Sequence, residues 1–195
     1  PLYNGIPLVL TSPAYFLERP VRWLELISRH RATHSGGPDF AFRLCLERVN
    51  DARLAQLDLS SWRVAYTGAE PVRADTETEF IARFGPAGFD PRTAYPCYGL
   101  AEGTLFVTGG MRGDGMVART FSTDDLARGT GTPADEGTML VGCGVAAPGH
   151  RVEIVDVESL TAAAPGKIGE NWTSGPSICR GYWGKERETR ETFVL

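Results

Sequence analysis

The chain has 195 residues, of which 42% are hydrophobic, 10% aromatic and 23% charged, as in an ordinary globular protein with one sizeable core or with one domain and part of a second. The net charge of −4 provides no basic field, which argues against nucleic-acid binding. No apolar run reaches the roughly 18 residues that a membrane-spanning helix needs, so no membrane span is expected.

The first half of the chain alternates short apolar runs with amphipathic stretches. The predicted elements are, in chain order, a buried strand at 6–10, a helix at 20–30, a loop at 32–39, helices at 40–49 and 74–84, and, between these two helices, a strand at 63–66 that ends at Thr67. Strands that alternate with helices of about ten residues predict an α/β fold, a mostly parallel sheet flanked by helices.

The second half has a different composition. Residues 117–136 are rich in Thr, Gly, Asp and Arg, with one turn of helix predicted at 123–128, and short strands follow at 139–141, 151–157 and 167–173. The run from Arg151 to Asp156 alternates apolar with polar residues, which is typical of a half-buried antiparallel strand. We therefore predict three parts: an α/β subdomain at 1–112, an insertion-like segment at 113–137 and a smaller, incomplete β-rich antiparallel subdomain at 138–195.

Two loops follow successive predicted strands, and they are the candidate ligand loops. One is Gly68–Pro71, and the other lies in the stretch TAYPCYGLAEGT, in which Pro96 is expected to prevent a regular strand. Ligand loops lie beyond the carboxyl ends of the strands in such sheets, so the two are expected to converge. An aromatic ring such as Tyr98 can stack on a base, and a carboxylate such as Glu102 suits a hard cation. A strand that turns into a helix start is the simpler alternative for this stretch.

Other chemistries find little support. The four cysteines form no CxxC pair and are interpreted as buried reduced thiols in a cytoplasmic protein, and the three histidines are scattered. The run from Gly142 to Ala147 fits GxGxxA, but Pro148 and Gly149 follow where a helix should continue, so a dinucleotide site is not expected. No GxSxG motif supports a hydrolase triad.

Four stretches, in order along essentially the whole chain, resemble the adenylate-forming superfamily and within it the fatty acyl-AMP ligases. The stretch LDLSSWRVAYTGAEPV resembles the adenine-loop region, and YPCYGLAEGT resembles the Tyr-Gly-x-x-Glu motif. The N-terminal residues 1–42 resemble the stretch that leads to the acyl-pocket wall. Finally, GKIGENWTSGPSICRGYW resembles the Gly-Glu segment that ends in Gly-Tyr-Trp.

The resemblance implies a role for each matching residue. Gly68, Ala69, Glu70 and Pro71 would border the adenine of ATP, with Tyr98 stacked on it next to Gly99. Glu102 would be the catalytic metal ligand and hold Mg²⁺. Ser35, Gly36, Gly37 and Pro38 would line the acyl pocket, where missing side chains leave room for a chain, although a simple turn also explains the two glycines.

The activity implied is the activation of a fatty acid with ATP to acyl-adenylate and pyrophosphate. The longer protein of which this chain would be a part, here called the parent, would pass the acyl group to an acyl carrier protein of a polyketide or lipid assembly line. Residues 116–136 resemble the segment that separates these ligases from acyl-CoA synthetases, with an ordinary surface loop as the alternative. An acyl-CoA synthetase fragment and a catalytically inert truncated module remain open as alternatives.

Departures from the family pattern remove no functional group. Asn171 and Thr173 stand at apolar strand positions, Gly103 stands where Ala is usual, and Asp39 stands where Asn is usual.

The phosphate-binding loop and the catalytic lysine of the family have no counterpart in this chain, which reads as an internal piece of a longer protein. We therefore expect the 195-residue piece by itself to form no acyl-adenylate.

Overall fold

A computed structural model describes residue 1 and residues 3–193. In chain order the helices and strands are α1 (Pro13–Glu18), α2 (Val21–His30), β1 (His34–Gly37), α3 (Asp39–Arg48), α4 (Asp51–Leu54), β2 (Val64–Thr67), α5 (Ala74–Phe84), β3 (Ala94–Leu100), β4 (Leu105–Gly109), β5 (Ala118–Phe121), α6 (Thr123–Ala127), β6 (Thr138–Val141), β7 (Val145–Ala146), β8 (Arg151–Asp156), β9 (Thr161–Ala162), β10 (Glu170–Ser174) and α7 (Glu186–Thr192).

The chain divides into two compact units. The first comprises residues 1–95 and 111–116, and the second comprises residues 96–110 and 117–195. The first unit holds the helices α1 to α5 and a parallel pair of strands, and the second holds antiparallel sheets. The predicted fold class is therefore confirmed, and the predicted three-part division of the sequence stays a prediction.

The parallel pair of the first unit is built from β1 and β2, with Gly37 opposite Thr67. The sequence predicts a loop at 32–39 because of its polar and glycine-rich composition, and this prediction is wrong for β1. A glycine-rich segment can form a strand where another backbone approaches closely. A Cβ atom at Gly36 would overlap the carbonyl oxygen of Tyr66 on the neighbouring strand, so the close pairing of the two strands requires glycine there.

An aromatic cluster forms the core of the first unit. Trp62 is 1% exposed and lies against Phe42, Phe80 and Phe89, with ring centroids 5.2–6.4 Å apart. The apolar stripe of α2 packs against the same cluster through Leu24 and neighbours on its buried face. Aromatic pairs of this kind contribute about 0.5–1.5 kcal/mol each beyond the burial of their area, so this cluster is the main source of stability in the unit.

Two sequence-based expectations about strands are wrong. Residues 6–10 form no strand and are exposed, with Leu10 at 81%, because an extended apolar run needs a paired neighbour and none pairs with it in the described part of the chain. Pro96 lies inside β3 although it cannot donate a ladder hydrogen bond. The recorded pairing of β3 with β4 begins one residue later, at Cys97 opposite Gly109, where an N–H is again present.

The second unit contains three antiparallel arrangements. Strand β4 pairs with β3 and with β7, β8 pairs with β9 and β10, and β5 pairs with β6. The predicted antiparallel strand from Arg151 to Asp156 is confirmed as β8, although Val155 is its one fully buried residue. The GxGxxA run ends in the short strand β7 and is not followed by a helix before α7, in agreement with the sequence analysis.

The segment that resembles the ligase insertion is a hairpin with a one-turn helix. Strand β5 pairs with β6 from Ala118 opposite Val141 to Phe121 opposite Thr138, and the predicted turn of helix is α6. The hairpin is closed at its base by a hydrogen bond from the Gly142 N–H to the Val117 carbonyl, 2.9 Å long. Strand β5 is not predicted from the sequence, because its four residues, Ala-Arg-Thr-Phe, are too few to show an alternating pattern.

The remaining sequence expectations concern membranes and thiols. None of the helices in the described residues is long and apolar enough to cross a membrane. All four cysteines are free, and burial raises the pKa of the Cys45 thiol to about 12, so it stays protonated. The interpretation of every cysteine as buried is confirmed for Cys45 only: Cys97 and Cys143 are half-buried, and Cys179 is exposed in the loop that follows β10.

Candidate functional site

The predicted acyl-pocket residues and the predicted adenine loop meet at one edge of the first unit. Ser35, Gly36 and Gly37 belong to β1, and β2 runs parallel to it and ends opposite Gly37. Pro38 and Gly68 therefore both follow carboxyl ends of neighbouring parallel strands. This is the edge at which open α/β sheets bind their ligands.

The predicted adenine loop from Gly68 to Pro71, here called the adenine loop, is fixed at its centre. Ala69 has a φ of 67°, in the left-handed region that residues other than glycine enter at a cost. The Glu70 carboxylate accepts a hydrogen bond of 2.7 Å from the Phe40 N–H, in the first turn of α3. The side chain of Glu70 thus anchors the loop to α3, which leaves the backbone of the loop for a ligand.

A second anchor lies just after the adenine loop. Asp39 is 5% exposed, and its carboxylate accepts hydrogen bonds from the Arg73 N–H at 2.9 Å and the Thr76 hydroxyl at 3.0 Å. The sequence analysis noted Asp39 only as a departure from Asn. In the structure its two carboxylate oxygens join the start of α3 to the start of α5, so Glu70 and the residues that follow the loop are both tied to the first turn of α3.

A buried acid beneath the loop was missed by the sequence analysis. Glu77 is 1% exposed, accepts a hydrogen bond from the Thr67 hydroxyl and has no hydrogen-bond partner at its other oxygen in the described part of the chain. Burial raises the pKa of Glu77 above its ordinary value, and the nearby Asp39 carboxylate raises it further. The helical spacing of Glu77 with Phe80 and Phe84 could have indicated its burial, because it places all three on the buried face of α5.

The predicted acyl-pocket residues differ in what surrounds them. The Ser35 hydroxyl accepts a hydrogen bond of 2.8 Å from the Trp23 indole, so it is committed to the core. Gly36 is required by its packing on Tyr66. A Cβ atom at Gly37 would meet the Ala41 Cβ at 3.5 Å, an ordinary contact, so of the two glycines only Gly37 leaves room beside it.

Tyr98 and Gly99 lie in the second unit, on β3. The register of β3 against β4 shifts between these two residues, and a Cβ at Gly99 would overlap the Leu105 carbonyl. This irregularity is a β-bulge, a feature that re-aims side chains at functional sites. Tyr98 is half-buried and lines a cleft of about 280 Å³; the other lining residues are Thr108, Cys143, Gly144, Val152, Ile154 and Asn171. The polar Asn171, unexpected in an apolar strand, thus faces a cleft rather than a core.

Glu102 lies in a short 3-10 turn between β3 and β4; the helix start that was the simpler alternative for this stretch does not form. The chain leaves this turn through Thr104 and Leu105, which have φ values of 56° and 86°. The Tyr182 hydroxyl donates a hydrogen bond to the Glu102 carboxylate. That hydrogen bond lowers the pKa of Glu102 below its ordinary value and raises the pKa of Tyr182.

The donor set around Glu102 suits one kind of metal site. No group of three His, Cys, Asp or Glu side chains among the described residues could hold a metal ion. A single carboxylate is nevertheless enough for Mg²⁺, which is commonly held by one or two carboxylates together with substrate phosphates and water. Because its pKa is lowered, Glu102 stays an anionic oxygen donor of the type that Mg²⁺ prefers.

The comparison with known proteins identifies the family. Residues 1–183 match the family of AMP-binding enzymes. The chain belongs to the AMP-binding enzyme family. It is 44% identical over 199 residues to a medium-chain-fatty-acid–acyl-carrier-protein ligase of Moorena producens, covering 99% of this chain and 34% of the relative. It is 37% identical over 195 residues to a Mycobacterium tuberculosis protein provisionally named a fatty-acid–CoA ligase, covering 99% of this chain and 34% of the relative.

A solved structure supports the same assignment. The fatty acyl-adenylate ligase of Legionella pneumophila, in complex with acyl adenylate and pyrophosphate, superimposes with a TM-score of 0.92 and 38% identity over 97% of this chain and 34% of that chain. The resemblance to fatty acyl-AMP ligases inferred from the four motifs is therefore confirmed. The chain spans about a third of the length of these relatives.

Proposed function

We propose that the protein containing this AMP-binding segment activates a fatty acid with ATP, giving acyl-adenylate and pyrophosphate, and transfers the acyl group to an acyl carrier protein. The observation that carries the proposal is the match, over nearly the whole chain, to a ligase structure that holds an acyl adenylate and pyrophosphate. The relative from Moorena producens, named as an acyl-carrier-protein ligase, supports the same acceptor.

The chemistry explains why these residue types are needed. The attacking carboxylate and the phosphate are both anionic, so the step depends on positioning and on neutralisation of charge. Mg²⁺, when bound, supplies part of that neutralisation, and Glu102 would be its protein ligand. Tyr98 would stack on the adenine, beside the bulge at Gly99. The loop from Gly68 to Pro71 would border the base, its shape held by the anchoring of Glu70.

The acyl chain would run along the end of β1, past Ser35, Gly36, Gly37 and Pro38. Ser35 is committed to the Trp23 indole and Gly36 to the Tyr66 strand, so these two would form a rigid wall. A Cβ at Gly37 would fit at ordinary contact distance from Ala41, which makes Gly37 the position at which a larger side chain would shorten the pocket. Pro38, at the N-cap of α3, holds the wall where the helix begins.

The experiment uses the full-length parent with ATP, Mg²⁺ and fatty acids of several lengths, offered CoA and an acyl carrier protein in separate reactions. We expect mass spectrometry to detect acyl-adenylate and the acylated carrier protein, with little acyl-CoA. The Glu102→Gln variant should lose Mg²⁺-dependent adenylate formation while it keeps metal-free AMP binding. Absence of acyl-adenylate from the wild-type reaction would contradict the proposal and favour an inert module.

The second candidate is an acyl-CoA ligase, favoured by the Mycobacterium tuberculosis relative named for that activity. The same reactions distinguish the two candidates, because a CoA ligase would produce acyl-CoA at least as fast as acylated carrier protein.

The proposal also includes a cytoplasmic location, where ATP and carrier proteins are available. Cell fractionation of the native host with an antibody to the parent tests that location.

A further inference from the structure

Two segments of the second unit are joined side by side: the Glu102–Thr104 turn and the Ser177–Tyr182 segment. The Cys179 N–H donates to the Glu102 carbonyl at 2.8 Å. The Ser177 hydroxyl donates to the Gly103 carbonyl at 2.7 Å, and the Thr104 hydroxyl donates to the Ser177 carbonyl at 2.6 Å. Together with the hydrogen bond from the Tyr182 hydroxyl to Glu102, these form what we call the Glu102 clamp.

His150 contacts the Ser177 hydroxyl of the Glu102 clamp. Its Nε2 lies 2.7 Å from the Ser177 hydroxyl oxygen. Because Ser177 gives its single proton to the Gly103 carbonyl, the imidazole must be the donor in this contact. The backbone on which Glu102 sits is therefore held through two layers of hydrogen bonds.

Contacts of the Tyr182 backbone and ring orient its hydroxyl. The Tyr182 N–H donates to the Thr189 hydroxyl oxygen at 2.9 Å, and the Tyr182 ring meets the Phe193 ring edge-on, with centroids 5.5 Å apart. Gly181 has a φ of 144°, and a Cβ there would overlap the Thr189 side chain. The Gly-Tyr pair of the Gly-Tyr-Trp motif therefore has a structural reason: glycine lets the chain pass α7 so that the phenol reaches Glu102.

We infer that Tyr182 is a positioning residue for Glu102, which fixes the carboxylate in the orientation that binds the divalent cation. This inference rests on the proposed function, in which Glu102 holds Mg²⁺. The phenol occupies one of about four lone-pair positions of the carboxylate, so donor capacity remains for a cation. Ligating carboxylates are commonly oriented by such an outer hydrogen bond, and loss of that partner typically costs about 10–100-fold in metal affinity or activity.

The test compares Tyr182→Phe with the wild type in the full-length parent. Phenylalanine keeps the ring contact with Phe193 and the backbone bond to Thr189, and removes only the hydroxyl. We expect the Mn²⁺ concentration for half-saturation in the presence of ATP, followed by electron paramagnetic resonance of free Mn²⁺, to rise about 10-fold or more. The Mg²⁺ requirement of pyrophosphate release should rise in parallel, and metal-free AMP binding should stay unchanged.

Two further variants separate positioning from general damage. Tyr15→Phe, which removes a hydroxyl from α1 in the first unit, is the matched control and should leave all three measurements at the wild-type level. Glu102→Asp keeps the charge but withdraws the carboxylate from the phenol by one methylene, so adding Tyr182→Phe to it should have little further effect on Mn²⁺ binding. This double-mutant comparison also holds if Tyr182→Phe alone lowers thermal stability.

The outcomes of the two proposals are distinguishable. An unchanged or tighter Mn²⁺ affinity in Tyr182→Phe overturns the inference, and a tighter affinity would mean that the phenol competes with the cation. If Tyr182→Phe weakens Mn²⁺ binding equally in the Glu102→Asp background, the phenol does not act through Glu102 and the inference is wrong. If the wild type binds Mn²⁺ with ATP through this pair but forms no acyl-adenylate, the proposed function fails while the positioning role stands.

Discussion

The two units hold their functional residues in different ways. In the first, β1 and β2 lie beside a cluster of buried aromatic rings centred on Trp62 and Phe80, and the Trp62 indole donates to the Ser35 and Val64 carbonyls. In the second, fully buried large side chains are few in the described residues, with Val107 and Val155 as examples, and the turn that carries Glu102 is held by hydrogen bonds. A packed core resists deformation in all directions, whereas a hydrogen bond is directional and orients a single group.

A pair of carboxylates illustrates the same contrast. Glu77 in the first unit is 1% exposed, and burial raises its pKa, so the environment favours the neutral acid. Glu102 in the second unit accepts a hydrogen bond from Tyr182, which lowers its pKa and favours the anion. The proposed metal ligand is thus the one of these two acids that the fold keeps charged.

The largest expected effect tests the aromatic core. Phe80→Ala removes a ring that contacts Phe42, Trp62, Phe84 and Phe89, and should lower the stability of the first unit by about 3–5 kcal/mol, since the cavity cannot collapse onto rigid neighbours. Hydrogen exchange of peptides from α3 and α5 in the full-length protein measures the loss.

The matched change in the second unit is Val155→Ala. It should cost no more than about 1.5–3 kcal/mol, the value of a whole buried valine side chain. Faster exchange confined to the second-unit peptides is expected. If Val155→Ala destabilises the protein as much as Phe80→Ala does, the contrast between the two kinds of unit is wrong.

A pair of glycine substitutions separates packing from pocket within the first unit. Gly36→Ala would force a methyl group into the Tyr66 backbone, at a cost of about 1–3 kcal/mol from overpacking. Gly37→Ala meets only Ala41 at contact distance, so the protein should fold normally and prefer shorter fatty acids. Thermal denaturation measures the first effect, and the products formed from fatty acids of different lengths report the second.

The stability and the chain-length profile of these two variants test separate statements about β1. Equal stability of the two variants would mean that β1 and β2 do not approach as closely as their pairing indicates. A normal chain-length profile in Gly37→Ala would remove Gly37 from the proposed acyl pocket, whatever the stability of the variant.

A smaller effect is expected at the hairpin of the second unit. Strand β5 pairs with β6, and the Gly142 N–H donates to the Val117 carbonyl at the base of the hairpin. A deletion of residues 118–141, rather than 117–136, therefore removes both strands and keeps the residues that close the base. We predict that the excision leaves adenylation intact and raises acyl-CoA formation, up to about tenfold if the hairpin biases the position of a further domain by ~1.4 kcal/mol. Phe121→Ala should act in the same direction, more weakly.

Both half-reactions are assayed on the same preparations of the full-length parent. Loss of adenylation after excision would show that the hairpin supports the first step instead. Acyl-CoA formation at the wild-type level would leave the hairpin without the proposed restraining role.

The smallest expected effect concerns the buried acid Glu77. A folded-state pKa above the unfolded value means that the native protein binds the proton more tightly, so the contribution of Glu77 to stability is full below its unfolded pKa and is lost as the pH rises through its folded pKa. Gln cannot ionise. Relative to the wild type, Glu77→Gln should therefore gain stability as the pH rises from the unfolded pKa of Glu77 through its raised folded pKa, measured as the urea midpoint from tryptophan fluorescence.

Glu102→Gln provides the opposite sign for comparison. Because the pKa of Glu102 is lowered, its contribution is present above its unfolded pKa and is lost as the pH falls through its folded pKa. A wild-type advantage over Glu77→Gln that grows with pH would contradict the burial of Glu77 as a neutral acid.

Much of this arrangement could be predicted from the sequence. The helices at 21–30, 39–48 and 74–84 follow from periodic apolar residues and from end signals such as Pro20, because those signals are local. The loop at Gly68–Pro71 and the Glu102 motif were assigned roles because their residues resemble family motifs, and those roles stay predictions. Local periodicity failed at β1 and β5, whose strand character depends on a partner that lies elsewhere in the chain.

The residues alone indicate the α/β class, the family and the chemical groups available at the candidate site: a stackable ring, a small-residue loop and a lone carboxylate. The charge state and orientation of these groups depend on the folded structure. It commits Glu70 to the Phe40 N–H, keeps Glu77 buried and favours the anion of Glu102 by placing Tyr182 beside it. The physical reason is that charge state and orientation depend on burial and on partners tens of residues away, which no local pattern of residues records.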